Sequence, residues 1–110
     1  MTRGILATAY ATLNSPHATT ELIALYREFY AGKPFMVILD EGELPATKHT
    51  LGSNRCHIGL AVDKRINRVT VVSCIDNLIK GAAGQAVQNM NLICGFDETA
   101  GLLSAGGIYP

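Results

Sequence analysis

Three short groups of residues carry side chains or backbone suited to reaction or binding. Cys56 and His57 are adjacent, the two residue types of a thiolate–imidazolium nucleophile. Neighbours on a strand point to opposite faces, however, so these two do not pair directly. Asp76 and Asn77 follow a strand-like run and precede a helix start. Polar groups at such strand ends commonly face a ligand crevice; the alternative for Asp76 is a turn capped by its own carboxylate. Gly81, Ala82, Ala83 and Gly84 open the helix. Free backbone N–H groups there can cradle an anion, and small residues there equally serve close packing. His17, His49 and His57 have no spacing that requires a shared metal, so no metal site is expected.

The frame for these groups is one domain, residues 1–110. Hydrophobic residues make up 48% and the formal net charge is zero. No basic stripe exists, which argues against nucleic acid as a partner. No apolar run reaches the roughly 18 residues of a membrane span, and no signal peptide opens the sequence. Cys56, Cys74 and Cys94 are odd in number and widely spaced. They read as reduced core thiols of a cytoplasmic protein, not as a disulfide framework.

Arg3–Leu13 reads as a strand covered on both sides, because neither face is charged after Arg3. Thr19–Ala31 reads as a helix capped by Thr19 or Thr20, with Glu21 in its first turn and Leu22, Tyr26, Phe29 and Tyr30 as its apolar stripe. Pro34–Leu39 is a short strand and Asp40–Thr50 a loop. Asn54–Val62 and Arg68–Asp76 form a central hairpin. Pairing Lys64 with Arg68 leaves a three-residue loop ending on Asn67, which tolerates the left-handed region. That register sets Ile58 near Cys74 and Leu60 near Val72. A helix follows from Lys80 to Ile93, with Ala83, Ala86, Val87, Met90 and Ile93 as its packing stripe and Gly95 closing it. From Gly81 to Phe96 there is no charged residue; Gln85, Gln88, Asn89 and Asn91 stand in their place. A surface helix normally carries a charged face, whereas neutral amides suit one covered on more than one side. A second neighbour for this helix, and self-association of the chain, are expected.

Gly52-Ser53-Asn54-Arg55-Cys56-His57-Ile58-Gly59 and the run from Val71 through Asp76-Asn77-Leu78-Ile79-Lys80-Gly81-Ala82-Ala83-Gly84-Gln85 to Asn91 closely resemble the N-acetyl-gamma-glutamyl-phosphate reductases. Arg3-Gly4-Ile5-Leu6-Ala7-Thr8 is similar to that family's strand just after its catalytic histidine, and Gly107-Ile108-Tyr109-Pro110 to its carboxyl terminus. The resemblance implies an α+β fold with a mixed, largely antiparallel sheet and two main helices, like the carboxyl-terminal domain of glyceraldehyde-3-phosphate dehydrogenase. It implies an NADP-dependent acyl-phosphate reductase of arginine biosynthesis that works through a cysteine thioester and a histidine acid–base. Neither catalytic position is matched by Cys56, Cys74, Cys94, His17, His49 or His57, and no Gly-rich dinucleotide fingerprint is present. The chain therefore reads as the substrate and oligomerisation domain of a larger reductase, without its dinucleotide-binding domain, inactive alone and homo-oligomeric. Carried over by position, Asn77, Gly81 and Gly84 are cofactor-side residues. Arg3 is a substrate-side charge or a structural ion pair. A non-catalytic dimerisation or scaffold module is the alternative reading.

Overall fold

A computed structural model describes residues 2–103; the Gly107–Pro110 ending lies outside them. The elements are β1 (Ile5–Thr12), α1 (Thr19–Phe29), β2 (Met36–Ile38), α2 (Thr47–Thr50), β3 (Cys56–Asp63), β4 (Arg68–Ile75) and α3 (Gly84–Cys94). A π-helical turn, Ile79–Ala83, leads directly into α3. The sheet order is β1-β4-β3-β2. β4 is antiparallel to both of its neighbours, and β2 runs parallel to β3. The expected α+β class and mixed, largely antiparallel sheet are present, with the β3–β4 hairpin at its centre.

The hairpin register is one residue away from expectation. Asp63, not Lys64, sits opposite Arg68, so Ile58 faces Ser73 and Leu60 faces Val71. A one-residue slip moves every partner to the other face. The cause is a four-residue loop, Lys64–Asn67, held by Asp63, whose Oδ1 accepts the Arg65 N–H at 3.0 Å while its carboxylate takes the Arg65 guanidinium. Asn67 does adopt the left-handed region, at φ 50°. Its Nδ2 donates to the Leu13 carbonyl at 2.7 Å, tying the loop to the end of β1.

In this register Leu60, Val62, Val69 and Val71 form one face, and α1 lies on it through Leu22, Ile23 and Tyr26. The helix begins at Ala18, not at a threonine cap. Glu21 Oε2 accepts the Ala18 N–H at 2.9 Å, and the Thr19 hydroxyl accepts the Val62 N–H at 3.2 Å. Ile23 is 4% exposed and Phe29 75% exposed, so the buried stripe is Thr19, Leu22, Ile23 and Tyr26, and Phe29 is turned outward. On the opposite sheet face, the Asp40–Thr50 segment is not all loop. It contains α2, whose Thr50 hydroxyl lies 3.4 Å from Cys74 Sγ. A Cβ at Gly59 would come within 2.8 Å of the Glu43 carbonyl, so only glycine lets this segment lie on the sheet.

Two expected coverings are corrected. β1 is an edge strand exposed along its whole length, including Leu6 and Tyr10. In α3 the stripe turned toward the domain is Gly84, Gln88 and Asn91, at i, i+4 and i+7. The apolar stripe faces away, with Met90 49% and Ile93 85% exposed. Amides are buried there because each has a partner: Asn91 Nδ2 donates to the Glu98 and Ala100 carbonyls. Gly95 closes the helix in the left-handed region as expected.

The packing of α1 gives a direct prediction. Ile23→Ala should cost about 2–5 kcal/mol, the range for emptying a buried aliphatic site. Phe29→Ala should stay within about 0.5 kcal/mol. Urea denaturation of the two variants checks both; the reverse order would put Phe29 back on the buried stripe.

Candidate functional site

Where β4 ends, the chain places Asp76 and Asn77 beside the residues that precede β1. Asp76 is 1% exposed. One carboxylate oxygen accepts the Leu78 and Ile79 N–H groups at 2.8 and 3.1 Å. The other accepts the Gly52 N–H at 2.7 Å and Arg3 Nη2 at 3.0 Å. Arg3 Nε lies 3.2–3.3 Å from the same carboxylate, so Nε and Nη2 engage it together along one edge of the guanidinium. Burial by itself raises the Asp76 pKa. The Gly52 N–H, the Arg3 guanidinium and the Leu78 and Ile79 N–H groups outweigh it and hold the carboxyl at about 2. Asp76 is thus a turn cap, one of its two expected roles, and it also joins three separate segments.

The adjacent residue repeats the connection. The Gly4 N–H donates to Asn77 Oδ1 at 2.6 Å. Only the carbonyl oxygen can accept that hydrogen, so the orientation of the carboxamide is fixed and its NH2 points away. Among the described residues that NH2 has no hydrogen-bond partner. Gly4 has φ +91°, and a Cβ there would come within 2.7 Å of Thr47 Cγ2. Glycine is therefore required for residues 3–4 to reach Asp76 and Asn77 past α2.

The π-helical turn continues from this clamp. The Gly81 N–H reaches the Asp76 carbonyl at 2.9 Å and the Ala83 N–H reaches the Leu78 carbonyl at 3.0 Å. Gly81 is exposed and has room for a Cβ, whose nearest neighbour would be 3.4 Å away. Gly84 is buried; a Cβ there would overlap Asn54 Oδ1 and approach Ile79 Cγ2 to 2.7 Å. Gly84 is thus in close packing, while Gly81 lies on the surface. A shallow groove lined by Gly52, Ile79, Ala83, Gly84 and Leu102 runs beside the clamp.

Behind Gly84 lies a polar network absent from the sequence reading. Gln88 Oε1 accepts from Asn54 Nδ2 at 2.9 Å and from Lys80 Nζ at 2.7 Å, and Gln88 Nε2 donates to Glu98 at 2.7 Å. Lys80 Nζ also lies 5.4 Å from the Phe35 ring centroid, and burial lowers its pKa. The signal was available in the four-residue spacings of Lys80, Gly84 and Gln88, which share one helix face.

Cys56 and His57 lie on opposite sheet faces, as strand alternation requires. Burial pushes the Cys56 thiol up, which keeps it protonated at neutral pH. His57 is paired in register with Cys74. Both of its ring nitrogens are buried without a partner among the described residues, and burial lowers its pKa. Cys74 is buried and Cys94 exposed, so the expectation of three core thiols fails for Cys94. Among the described residues no three His, Cys, Asp or Glu side chains gather into a metal-holding group. No helix of the described residues is long and apolar enough to cross a membrane.

The family model for the semialdehyde dehydrogenase dimerisation domain matches residues 1–77. The chain is 62% identical over 110 residues to an N-acetyl-gamma-glutamyl-phosphate reductase of Symbiobacterium thermophilum, covering 100% of this chain and 32% of that protein. It is 61% identical over 102 residues to one of Geobacter metallireducens, covering 93% and 30%. The chain therefore spans about a third of the length of the curated relatives it matches. Among solved structures, aspartate semialdehyde dehydrogenase II from Vibrio cholerae superposes with a TM-score of 0.67 at 17% identity, over 84% of this chain and 28% of that chain. That likeness shows the fold.

The clamp predicts a pH response. Asp76 has a folded pKa of about 2 against an ordinary value of 3.8. Its contribution is therefore fully present above about pH 4 and is lost as pH falls toward 2. The loss should be on the order of 2 kcal/mol. Urea midpoints measured from pH 5 to pH 2 should show it, and Asp76→Asn should flatten that part of the curve. An unchanged slope in the variant would remove Asp76 as the cause.

Proposed function

The chain belongs to the semialdehyde dehydrogenase family through its dimerisation domain, and from that premise we propose that it is the substrate and oligomerisation part of an NADP-dependent acyl-phosphate reductase. The reaction in this reading converts N-acetyl-glutamyl 5-phosphate to the 5-semialdehyde in arginine biosynthesis, in the cytoplasm. The observation that carries it is identity of 53–62% to reductases of that name, across 93–100% of the chain. The nucleophile and the acid–base group lie, in this proposal, in a part of the protein outside these 110 residues, together with the dinucleotide-binding domain.

The clamp end of the sheet suits a cofactor on two counts. Asn77 presents an unpartnered carboxamide NH2, fixed in orientation by Gly4. Gly81 is exposed beside it, with no side chain to hold a ligand off. When bound, a nicotinamide supplies the hydride. Asn77 would donate to its carboxamide oxygen, and Gly81 would let the backbone approach. The part of Gly84 is indirect: it seats the start of α3 on Asn54. Arg3 would face the substrate.

The two exposed apolar surfaces suit two partners. The family match ends at residue 77 and so contains β1 but not α3. We assign the exposed β1, with Leu6 and Tyr10, to a second copy of the chain. The outward stripe of α3, with Met90 and Ile93, would lie against the dinucleotide-binding domain. A dimerisation module without catalysis is the second reading, favoured by the description of the matched family alone.

The test is the complete protein carrying this chain, assayed for NADPH-dependent reduction of the acyl phosphate. Wild type should turn over, and Asn77→Ala should weaken cofactor affinity by about fivefold, the worth of one hydrogen bond near 1 kcal/mol. No turnover by the wild-type protein would leave the scaffold reading. Turnover with unchanged affinity and an earlier melt would make Asn77 a turn residue.

A further inference from the structure

The clamp uses only one edge of Arg3. Nε and Nη2 face Asp76, and a guanidinium is planar, so this contact fixes the direction of the remaining donors. Nη1 and the second Nη2 hydrogen lie on the far edge, where among the described residues they meet no acceptor. The Arg3 side chain is 25% exposed, while that of Asp76 is 0% exposed. Asp76 already receives three backbone N–H groups, from Gly52, Leu78 and Ile79. Those hydrogen bonds satisfy much of the carboxylate without arginine. They also draw its charge inward, so the outer edge of the guanidinium keeps its positive field. Gly4, the next residue, is held to Asn77, so the backbone that carries Arg3 cannot swing away.

We propose that Asp76 is a positioning residue that presents the outer edge of Arg3 to an oxyanion, carboxylate or phosphoryl, of the molecule bound at this end of the sheet. The inference deepens the reductase reading, on which it rests for the identity of that molecule. A fork of parallel donors is the geometry that binds carboxylates and phosphates. A lysine would bring the charge without the direction.

The chain itself carries the test, without turnover. Labelled with 15N, its Arg3 Nε–H signal is followed while inorganic phosphate or N-acetylglutamate is added. A saturable shift is expected: from phosphate if the phosphoryl group is bound, from N-acetylglutamate if a carboxylate is. Asp76→Asn should keep a folded spectrum and bind the same anion roughly tenfold more weakly, the cost of losing a charge-assisted pair that sets the donor direction. Should that variant unfold, Arg3→Lys decides, because it keeps the charge on a side chain already part-exposed; it too should lose roughly tenfold in affinity. No saturable shift from either anion, or full affinity in folded Asp76→Asn or in Arg3→Lys, overturns the proposal. Anion binding by a chain whose complete protein reduces no acyl phosphate overturns the reductase reading and leaves this one standing.

Discussion

A carboxylate removed from water is the constraint on which this end of the molecule depends. An unpaired buried charge is prohibitively costly, so Asp76 must draw its donors from wherever the chain can supply them. It draws them from three segments: Arg3 ahead of β1, Gly52 in the turn after α2, and Leu78 and Ile79 where the π-helical turn opens. None of these is next to another in sequence. The satisfied carboxylate therefore sets the relative placement of β1, α2 and α3. Gly4 and Asn77 lock the same junction a second time. Both donors left over, the outer edge of Arg3 and the Asn77 amide, belong to this junction. The proposed site is made of what the structural clamp leaves unused.

The second organising feature is the inverted helix α3. Its buried stripe is polar and its exposed stripe apolar. The amides go inward because Asn54, Lys80, Glu98 and the Ala100 carbonyl give them partners. The glycine at position 84 allows the backbone to sit directly on Asn54. Among the described residues the apolar outer stripe has no such reason, and a protein surface that excludes water from it is the physical complement. The edge strand β1 presents the same situation, with unpaired backbone groups along its edge as well as exposed side chains.

Much of this was legible in residue order, and the errors have identifiable causes. Asn67 and Gly95 announced left-handed positions because few residues tolerate them. The run Asp76–Asn91 was specific enough to resemble one family. The hairpin register was missed because Asp63 captures Arg65 and lengthens the loop by one residue. Apolar residues on both faces gave no pattern to oppose the slip. Apolarity alone puts Phe29 inward, although Ile23 fits the same helical period. Hydropathy alone turns the apolar α3 stripe inward, and hydropathy fails where the amides of a helix find partners inside. Its lack of charge carries the expectation of a second neighbour, and the apolar stripe it leaves exposed is where such a neighbour would lie. The donors to Asp76 from Gly52 and Arg3 arise from contacts 24 and 73 residues away, which no local pattern reveals.

Amide hydrogen exchange tests the clamp as a single unit most directly. At neutral pH the Gly52, Leu78 and Ile79 amides of the wild-type chain should exchange slowly, although all three lie outside the strands. In Asp76→Asn they should lose protection together, while the β3–β4 ladder keeps its own. Independent exchange of the three in the wild-type chain, or loss at Leu78 and Ile79 with Gly52 unchanged, would contradict the account and reduce Asp76 to a local cap.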